Sequence, residues 1–276
     1  MIARSIEAPD GVRIGVEDAG RVDAPAIVFV HGFGQSRASF RSVLEGPLAA
    51  THRLVAMDLR GHGDSDKPAE DGAYASERLG DDLHAVIEGL ALRRPIVVAW
   101  SYGGVVLGEY LRRHGSDALG GILLAAAAMQ VGKPARELFG PVMMSNARGL
   151  LADDDTVYEA AARAFISGCS ASPLEPPAVE DAVGVMMRVP VHARRSLLFH
   201  SGDYLLEITR CTAPVATIHG SLDAVVLPRM SELVAGAAPS CESTRLPGVG
   251  HLPWLEAPDA FIASLRAVGA RTAPDV

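Results

Sequence analysis

The sequence predicts an α/β fold whose mostly parallel sheet is covered by helices on both faces. Short β-branched or aliphatic runs alternate with longer helical patterns along much of the chain. Several of these runs are apolar at every position, as expected of central strands that are buried on both faces. With 276 residues, 49% of them hydrophobic, the chain can bury a full core in one large domain.

Seven segments have the composition of strands, and two helices are clear between them. The strand segments are residues 13–17, 26–30, 54–57, 95–100, 121–125, 215–219 and 242–246. Residues 76–92 place their apolar side chains on one helical face. Residues 104–113 form a second helix directly after a strand. Strand followed by helix, repeated, indicates parallel connections.

The alternation stops near Met129. Residues 130–202 read as several short helices interrupted by prolines, with no convincing strand. We therefore divide the chain into a core domain of residues 1–129 and 203–276 and a helical lid of residues 130–202. The methionines and phenylalanines of this insertion are expected either to seat the lid on the core or to face a pocket.

Charge and cysteine content exclude several classes of partner. Lys and Arg number 25 against 33 Asp and Glu, a formal net charge of -8, so we expect neither nucleic acid nor a membrane as partner. The longest apolar run, residues 119–131, falls short of the roughly 18 residues of a membrane span. The first twenty residues lack the apolar region of a secretory signal, which favours a cytoplasmic location. The 3 cysteines are widely spaced and fit neither a disulfide framework nor a metal site.

The stretch AWSYGG, residues 99–104, contains the candidate nucleophile. Ser101 falls between a predicted strand and a predicted helix, at the carboxyl end of the sheet, where open α/β folds bind ligands. This is the form of the nucleophile elbow G-x-S-x-G, in which the outer positions must be small so that strand and helix can approach. Ala99 replaces the usual first glycine, and Gly103 keeps the second.

A serine hydroxyl needs a base to take its proton and an acid to orient that base. His251 follows the last predicted strand, and Asp223 follows the strand before it. The chain order Ser, Asp, His, each after a strand, is the order that this elbow requires. The strand after the nucleophile ends in a run of alanines, so no carboxylate is present there. We predict Ser101 as nucleophile, His251 as general base and then acid, and Asp223 as the orienting carboxylate.

Two backbone amides are the candidates for an oxyanion hole. One is the N–H of Tyr102, directly after the serine, and the other is that of Phe33 in the HGFG loop after the strand of residues 26–30. We assign His31 of this loop a structural role, because no second His or Cys stands at ligand spacing. We also expect neither a metal nor an organic cofactor.

A partly apolar substrate pocket is expected around these groups. Two tryptophans flank the predicted catalytic residues, and apolar side chains come from the lid and from its junction with the core. The candidate pocket residues are Trp100, Met129, Phe139, Met143, Met186 and Trp254.

With HGFGQS, DLRGHGDSDKP, AWSYGG, HGSLDAVV and GHLPWLEAPDAF in this order, the chain resembles the α/β-hydrolase superfamily over nearly its whole length. Within it, the chain is most similar to the cofactor-free haloperoxidase and esterase group. The resemblance implies an eight-stranded, mostly parallel sheet, a lid between the sixth and seventh strands, and the same triad and oxyanion residues. Epoxide hydrolases and haloalkane dehalogenases of this fold resemble one another in using an aspartate nucleophile, so Ser101 argues against both.

The predicted function is a serine hydrolase that cleaves carboxylic esters of small to medium apolar acyl groups through an acyl-enzyme. Alternatives on the same triad are a carbon–carbon bond hydrolase, a lactonase or a perhydrolase. A non-catalytic ligand-binding member of the fold is a further alternative. A carbon–carbon hydrolase would need basic side chains to hold a substrate carboxylate, for which Arg188, Arg194 and Arg195 are candidates. The physiological substrate and the oligomeric state stay open.

Overall fold

A computed structural model describes residues 1–238 and 240–272 of the chain. Its strands are β1 (Ile2–Glu7), β2 (Arg13–Gly20), β3 (Ala26–Val30), β4 (Arg53–Met57), β5 (Ile96–Trp100), β6 (Gly121–Ala125), β7 (Gln130–Val131), β8 (Gly202–Asp203), β9 (Val215–Gly220) and β10 (Glu242–Leu246). Its α-helices are α1 (Arg41–Leu44), α2 (Ser76–Gly89), α3 (Gly103–His114), α4 (Pro141–Leu150), α5 (Asp155–Ser167), α6 (Pro176–Met187), α7 (Val191–Phe199), α8 (Leu205–Thr209), α9 (Arg229–Ala237), α10 (Pro253–Glu256) and α11 (Pro258–Arg271). Single 3-10 turns cover Arg37–Phe40, Pro47–Ala50 and Lys133–Leu138.

An eight-stranded sheet forms the centre of the molecule, in the order β1-β2-β4-β3-β5-β6-β9-β10. The six strands from β4 to β10 in this order run parallel, and β1 and β2 pair antiparallel at one edge. Every residue of β3, β4, β5 and β6 is buried, because helices cover both faces of the sheet there. The predicted fold class, with a mostly parallel eight-stranded sheet, is confirmed.

Strand β1 is one of the elements that the sequence pattern did not reveal. All its residues are exposed except Ile6, which is half-buried, so no alternation of apolar side chains marks it. It is held by backbone pairing with β2 in a register that runs from Ile2 opposite Asp18 to Glu7 opposite Arg13. An edge strand of this kind needs only one neighbour and few buried side chains.

Helix α2 ends at Gly89, three residues earlier than the apolar pattern predicts. The reason is local: Ala91 has a φ of 50°, in the left-handed region. The amide of Leu92 then donates to the carbonyl of Ile87 at 2.9 Å. A left-handed residue after the last turn, followed by this backward hydrogen bond, terminates a helix.

No helix of the described ranges is long and apolar enough to cross a membrane.

The segment that we assigned to the lid contains helices α4 to α7 and the Lys133–Leu138 turn. A small antiparallel ladder joins the two ends of the segment, with Gln130 opposite Asp203 and Val131 opposite Gly202. The expectation of no strand here was therefore wrong for β7 and β8. Each has two residues, which is too short to produce a periodic pattern, and their pairing depends on both ends of the insertion returning to one place.

Candidate active site

Ser101 lies in a strained turn between β5 and α3. Its φ of 53° is in the left-handed region, which a residue with a side chain adopts at a cost. The Ser101 carbonyl accepts hydrogen bonds from the amides of Gly104 at 2.9 Å and Ala128 at 2.8 Å, and these hold the turn. Strand and helix approach so closely that a Cβ on Gly103 would lie 2.5 Å from the carbonyl oxygen of Val30. This is the strand–turn–helix geometry of a nucleophile elbow.

His251 and Asp223 lie in the loops that follow β10 and β9. Nδ1 of His251 is 2.7 Å from Oδ2 of Asp223, and both side chains are buried. This bond favours the tautomer that carries its proton on Nδ1 and leaves Nε2 as an acceptor. Among the described residues, that Nε2 has no hydrogen-bond partner. His251 and Ser101 line one cavity, so the three predicted triad residues come together at one site.

The carboxylate of Asp223 has further donors. Oδ1 accepts the amides of Val225 at 2.8 Å and Val226 at 3.0 Å, and Oδ2 lies 3.0 Å from Nε2 of His219. Burial alone would raise the pKa of Asp223, but the two imidazoles beside it lower the pKa to about 2. The group is therefore ionised at neutral pH and able to stabilise an imidazolium. Sequence reasoning missed His219, for which the available signal was its position four residues before Asp223.

The two predicted oxyanion donors are free. Within the described ranges, the amide N–H groups of Phe33 and Tyr102 donate to no protein acceptor. Both residues line a cavity together with Ser101. A Cβ on Gly32 would lie 2.8 Å from Cβ of Ser101, so the HGFG loop passes directly against the nucleophile. Such a pair of amides fits the requirement of an oxyanion hole.

Two buried imidazoles support the HGFG loop. Nδ1 of His31 donates to the carbonyl of Gly32 at 2.8 Å, and its Nε2 accepts the amide of Leu59 at 3.0 Å. Nε2 of His62 accepts the amide of Gly34 at 3.1 Å. Burial lowers the pKa of His31 to about 4, and burial together with the neighbouring His31 lowers the pKa of His62 to about 3. Both rings are therefore neutral acceptors at neutral pH, and His31 has the structural role expected of it.

Acidification is expected to weaken the fold through these two rings. An unfolded histidine has a pKa near 6.5. Below that pH the unfolded chain therefore binds protons at His31 and His62, whereas both rings stay neutral in the folded protein. The stabilising contribution of the two neutral rings is complete above pH 6.5 and is lost as the pH falls toward their pKa values in the folded protein. Each additional proton bound by the unfolded chain lowers the free energy of unfolding by about 1.4 kcal/mol per pH unit. The variant His62→Gln keeps an acceptor for Gly34 but does not titrate. We expect urea unfolding at several pH values in this window to show that the free energy of unfolding changes less steeply with pH in the variant, by the equivalent of about one proton. Equal slopes for the wild type and the variant would contradict the assignment.

Two cavities meet at the nucleophile and share Ser101, Phe33 and Phe165. We call the first the base cavity, about 460 Å³, whose walls include His251, Trp100, Trp254 and Leu174. We call the second the elbow cavity, about 700 Å³, whose walls include Tyr102, Phe139, Met143 and Val226. Four of the six predicted pocket residues therefore lie on a cavity wall. Both cavities are lined mainly by apolar side chains.

The other two predicted pocket residues, Met129 and Met186, lie behind the walls, so that prediction was wrong for them. Met129 is fully buried at the end of the β6 loop, where its carbonyl accepts the amide of Tyr204 at 3.0 Å. Met186 is also fully buried and supports the HGFG loop from the lid side. A Cβ on Gly34 would lie 2.7 Å from Cε of Met186.

The arginines considered for a substrate carboxylate are engaged elsewhere. None of the three lines either cavity. Each has another partner: Arg188 pairs with Asp64 at 3.0 Å, Arg194 donates to the Leu150 carbonyl at 2.8 Å, and Arg195 pairs with Asp153 at 2.7 Å. Lys133 and Arg136, which sequence reasoning passed over, line the elbow cavity instead. In the described part of the chain, no group of three His, Cys, Asp or Glu side chains is placed to hold a metal ion.

The lid is hydrogen-bonded to all three loops that carry the predicted triad. Three contacts represent these links: Tyr102 Oη donates to the Leu197 carbonyl at 3.1 Å, the Gly140 amide donates to the Val225 carbonyl at 2.9 Å, and the His251 amide donates to the Cys169 carbonyl at 2.7 Å. A further bond to the base loop comes from the core, where Nε1 of Trp100, the last residue of β5, donates to the carbonyl of His251 at 3.0 Å. Residues 130–202 therefore contact the elbow, the acid loop and the base loop through hydrogen bonds.

The sheet, the elbow and the loops at its carboxyl edge define a hydrolase of the α/β class. The chain belongs to the alpha/beta hydrolase family, whose model matches residues 27–264.

Curated relatives and solved structures agree with this family. Over 224 residues, the chain is 29% identical to the non-heme chloroperoxidase CPO-A1 of Kitasatospora aureofaciens, covering 79% of this chain and 80% of that protein. It is 40% identical over 118 residues to EphD of Mycobacterium tuberculosis, which is 42% of this chain but only 20% of that longer protein. An esterase from Rhodococcus sp. ECU1013 has a TM-score of 0.90 at 26% identity and covers 99% of this chain and 100% of its own. The predicted likeness to the haloperoxidase and esterase group is confirmed.

Proposed function

We propose that the protein is a serine hydrolase that cleaves carboxylic esters of small to medium apolar acyl groups. One observation carries the proposal: the imidazole of His251 bonds Asp223 through Nδ1 and keeps Nε2 unpartnered among the described residues, in a cavity that Ser101 also lines. An unpaired buried acceptor is costly, and its retention here fits a group that receives a proton from the nucleophile.

The geometry supports the following reaction. Oγ of Ser101 attacks the ester carbonyl while Nε2 of His251 takes its proton, and the amides of Phe33 and Tyr102 bind the oxyanion. The imidazolium then donates that proton to the leaving alkoxide, which departs as the alcohol and leaves an acyl-enzyme. His251 next deprotonates a water molecule, which attacks the acyl carbonyl. The acid is released and Ser101 regains its proton.

Ester hydrolysis is the least demanding chemistry for this site. It needs a triad, two amide donors and an apolar cavity for the acyl group, and this site has candidates for each of these. Residues 130–202 serve as a lid in this proposal, because they form much of both cavity walls. A carbon–carbon hydrolase is less well supported, since the arginines considered for its substrate carboxylate contact other groups.

The test combines active-site labelling with turnover. We expect intact-protein mass spectrometry to show one fluorophosphonate adduct per chain on the wild type and none on Ser101→Ala. The matched control is Ser145→Ala, an exposed serine on α4 that bonds the Pro141 carbonyl and should leave labelling unchanged. A panel of 4-nitrophenyl esters from acetate to octanoate should then show turnover. A folded wild type that neither takes up the probe nor cleaves any ester would refute the proposal and favour a binding protein.

A further inference from the structure

We propose that the acyl arm of the ester occupies the elbow cavity and ends in an anionic group, such as a carboxylate, that pairs with Lys133 and Arg136. The inference rests on the proposed ester hydrolysis and deepens it in two ways. It assigns each arm of the substrate to one of the two cavities, and it names the charge of the acyl group.

His251 determines which arm lies in which cavity. The tetrahedral intermediate collapses when the imidazolium donates its Nε2 proton to the leaving alkoxide, so the alcohol arm must leave on the side of that nitrogen. His251 lines the base cavity and is absent from the wall of the elbow cavity. The alcohol arm is therefore placed in the base cavity. The acyl arm stays bonded to Ser101. Because Ser101 also lines the elbow cavity, we place the acyl arm there.

The elbow cavity has both apolar and cationic lining residues. Phe139, Met143 and Val226 are among its walls and suit a methylene chain. Its charged lining residues are Lys133 and Arg136, and no Asp or Glu is among the residues that line it. The base cavity differs, because Arg41 there is accompanied by Glu45 and Asp181. The charged lining residues of the elbow cavity are thus all cationic, although the chain has a net charge of -8.

Both cations belong to the 3-10 turn Lys133–Leu138. Residues three apart eclipse one another in such a turn, so Lys133 and Arg136 lie on one face, while Glu137 falls on another. The side chains of Lys133 and Arg136 are both exposed, and neither forms a hydrogen bond or ion pair with a described residue. Two adjacent, unneutralised donors with three and five N–H groups respectively suit a terminal carboxylate.

The substrate comparison uses 4-nitrophenyl monoesters of adipate and suberate. Their controls are 4-nitrophenyl hexanoate and octanoate, in which a methyl group replaces the terminal carboxylate. We expect the wild type to show a kcat/KM about tenfold higher for each charged ester, because two partly exposed ion pairs together supply about that factor. The preference should shrink as salt screens the charges.

The variant Lys133→Gln/Arg136→Gln should bring the ratio of charged to neutral kcat/KM close to one. The matched control, Arg148→Gln, removes an exposed lid arginine outside both cavities and should keep the wild-type ratio. Thermal unfolding of each variant checks that the fold is intact.

Three results would overturn the inference, and they can be told apart. A wild type that cleaves neutral esters as fast as charged ones, with no change in the double variant, refutes the anionic acyl group and leaves the esterase proposal standing. A preference for acetate esters of ω-hydroxy acids over acetate esters of neutral alcohols would show that the anion belongs to the alcohol arm. A folded enzyme that cleaves none of these esters refutes the proposed function itself.

Discussion

Replacing Ser101 by glycine is expected to abolish ester hydrolysis and to stabilise the fold at the same time. Loss of Oγ removes the nucleophile, and kcat should fall by roughly 10⁴- to 10⁶-fold, as for other triad serines. The φ of 53° is strained for any residue with a Cβ, and glycine relieves a cost of about 1 kcal/mol. Urea unfolding and ester turnover of the same purified variant measure both effects.

Two comparison variants separate the chemistry from the strain. Ser101→Ala should be as inactive as the glycine variant without its gain in stability, because alanine keeps the Cβ in the same left-handed turn. Ala91→Gly changes a residue with a φ of 50° beyond the end of α2 that lines neither cavity at the nucleophile, and it should gain stability while retaining activity. Appreciable ester turnover by Ser101→Gly would show that Ser101 is not the nucleophile.

Replacing Asp223 by asparagine is expected to lower kcat by about 10⁴-fold through the tautomer of His251. The amides of Val225 and Val226 both donate to Oδ1, so an asparagine at this position would keep its oxygen there and present its NH₂ group to His251. Nδ1 of His251 would then have to accept, and the ring proton would move to Nε2. An imidazole protonated at Nε2 cannot take the proton of Ser101.

Asp223→Asn should change the shape of the substrate pocket very little. A loss of activity in this variant therefore reports on the chemical step and not on substrate binding. We expect the loss to appear in kcat and in the rate of fluorophosphonate labelling, with little change in KM for chemistry-limited esters. Asp153→Asn, on the lid surface where Asp153 pairs with Arg195, is the matched control and should retain wild-type turnover. A reduction of less than about tenfold in Asp223→Asn would contradict its role as the orienting carboxylate.

The eight-stranded sheet was predictable apart from its edge strand β1. Strands β3, β6 and β10 have the bounds that the sequence predicts. In β3 and β6 an apolar run bounded by turn residues has little alternative to a buried strand. The prediction did not include β1, because an exposed edge strand is held by backbone pairing with β2. It also missed β7 and β8, since two-residue strands depend on the path of the whole insertion.

The site was predictable to the extent that the sheet arranges it. Parallel strands end at one edge, so residues that directly follow β5, β9 and β10 were expected to meet there, and Ser101, Asp223 and His251 do so. The pocket depends on tertiary packing. The apolar side chain of Met186 indicates that this residue is buried, but it does not indicate whether the residue lines a cavity or packs behind the lining residues.

Partners that are distant in the chain were equally hidden from sequence analysis. Arg188 pairs with Asp64, whereas the side chains of Lys133 and Arg136 have no described partner, and nothing in the local sequence distinguishes these three cationic residues in this respect. His219 was missed although it lies only four residues before Asp223, because its contact with that carboxylate depends on how the loop after β9 folds back.

The bonds between the lid and the triad loops also bear on how such an enzyme could acquire new substrates. The lid offers mostly main-chain groups to these loops: the carbonyls of Leu197 and Cys169 and the amide of Gly140. Main-chain groups survive almost any side-chain substitution, so mutation could remodel Phe139 or Met143 while the base and the acid stay in place. Insertions or deletions within α5 or α7 would shift those carbonyls instead. Directed evolution of this enzyme should therefore tolerate changes in the lid's side chains far better than changes in its length.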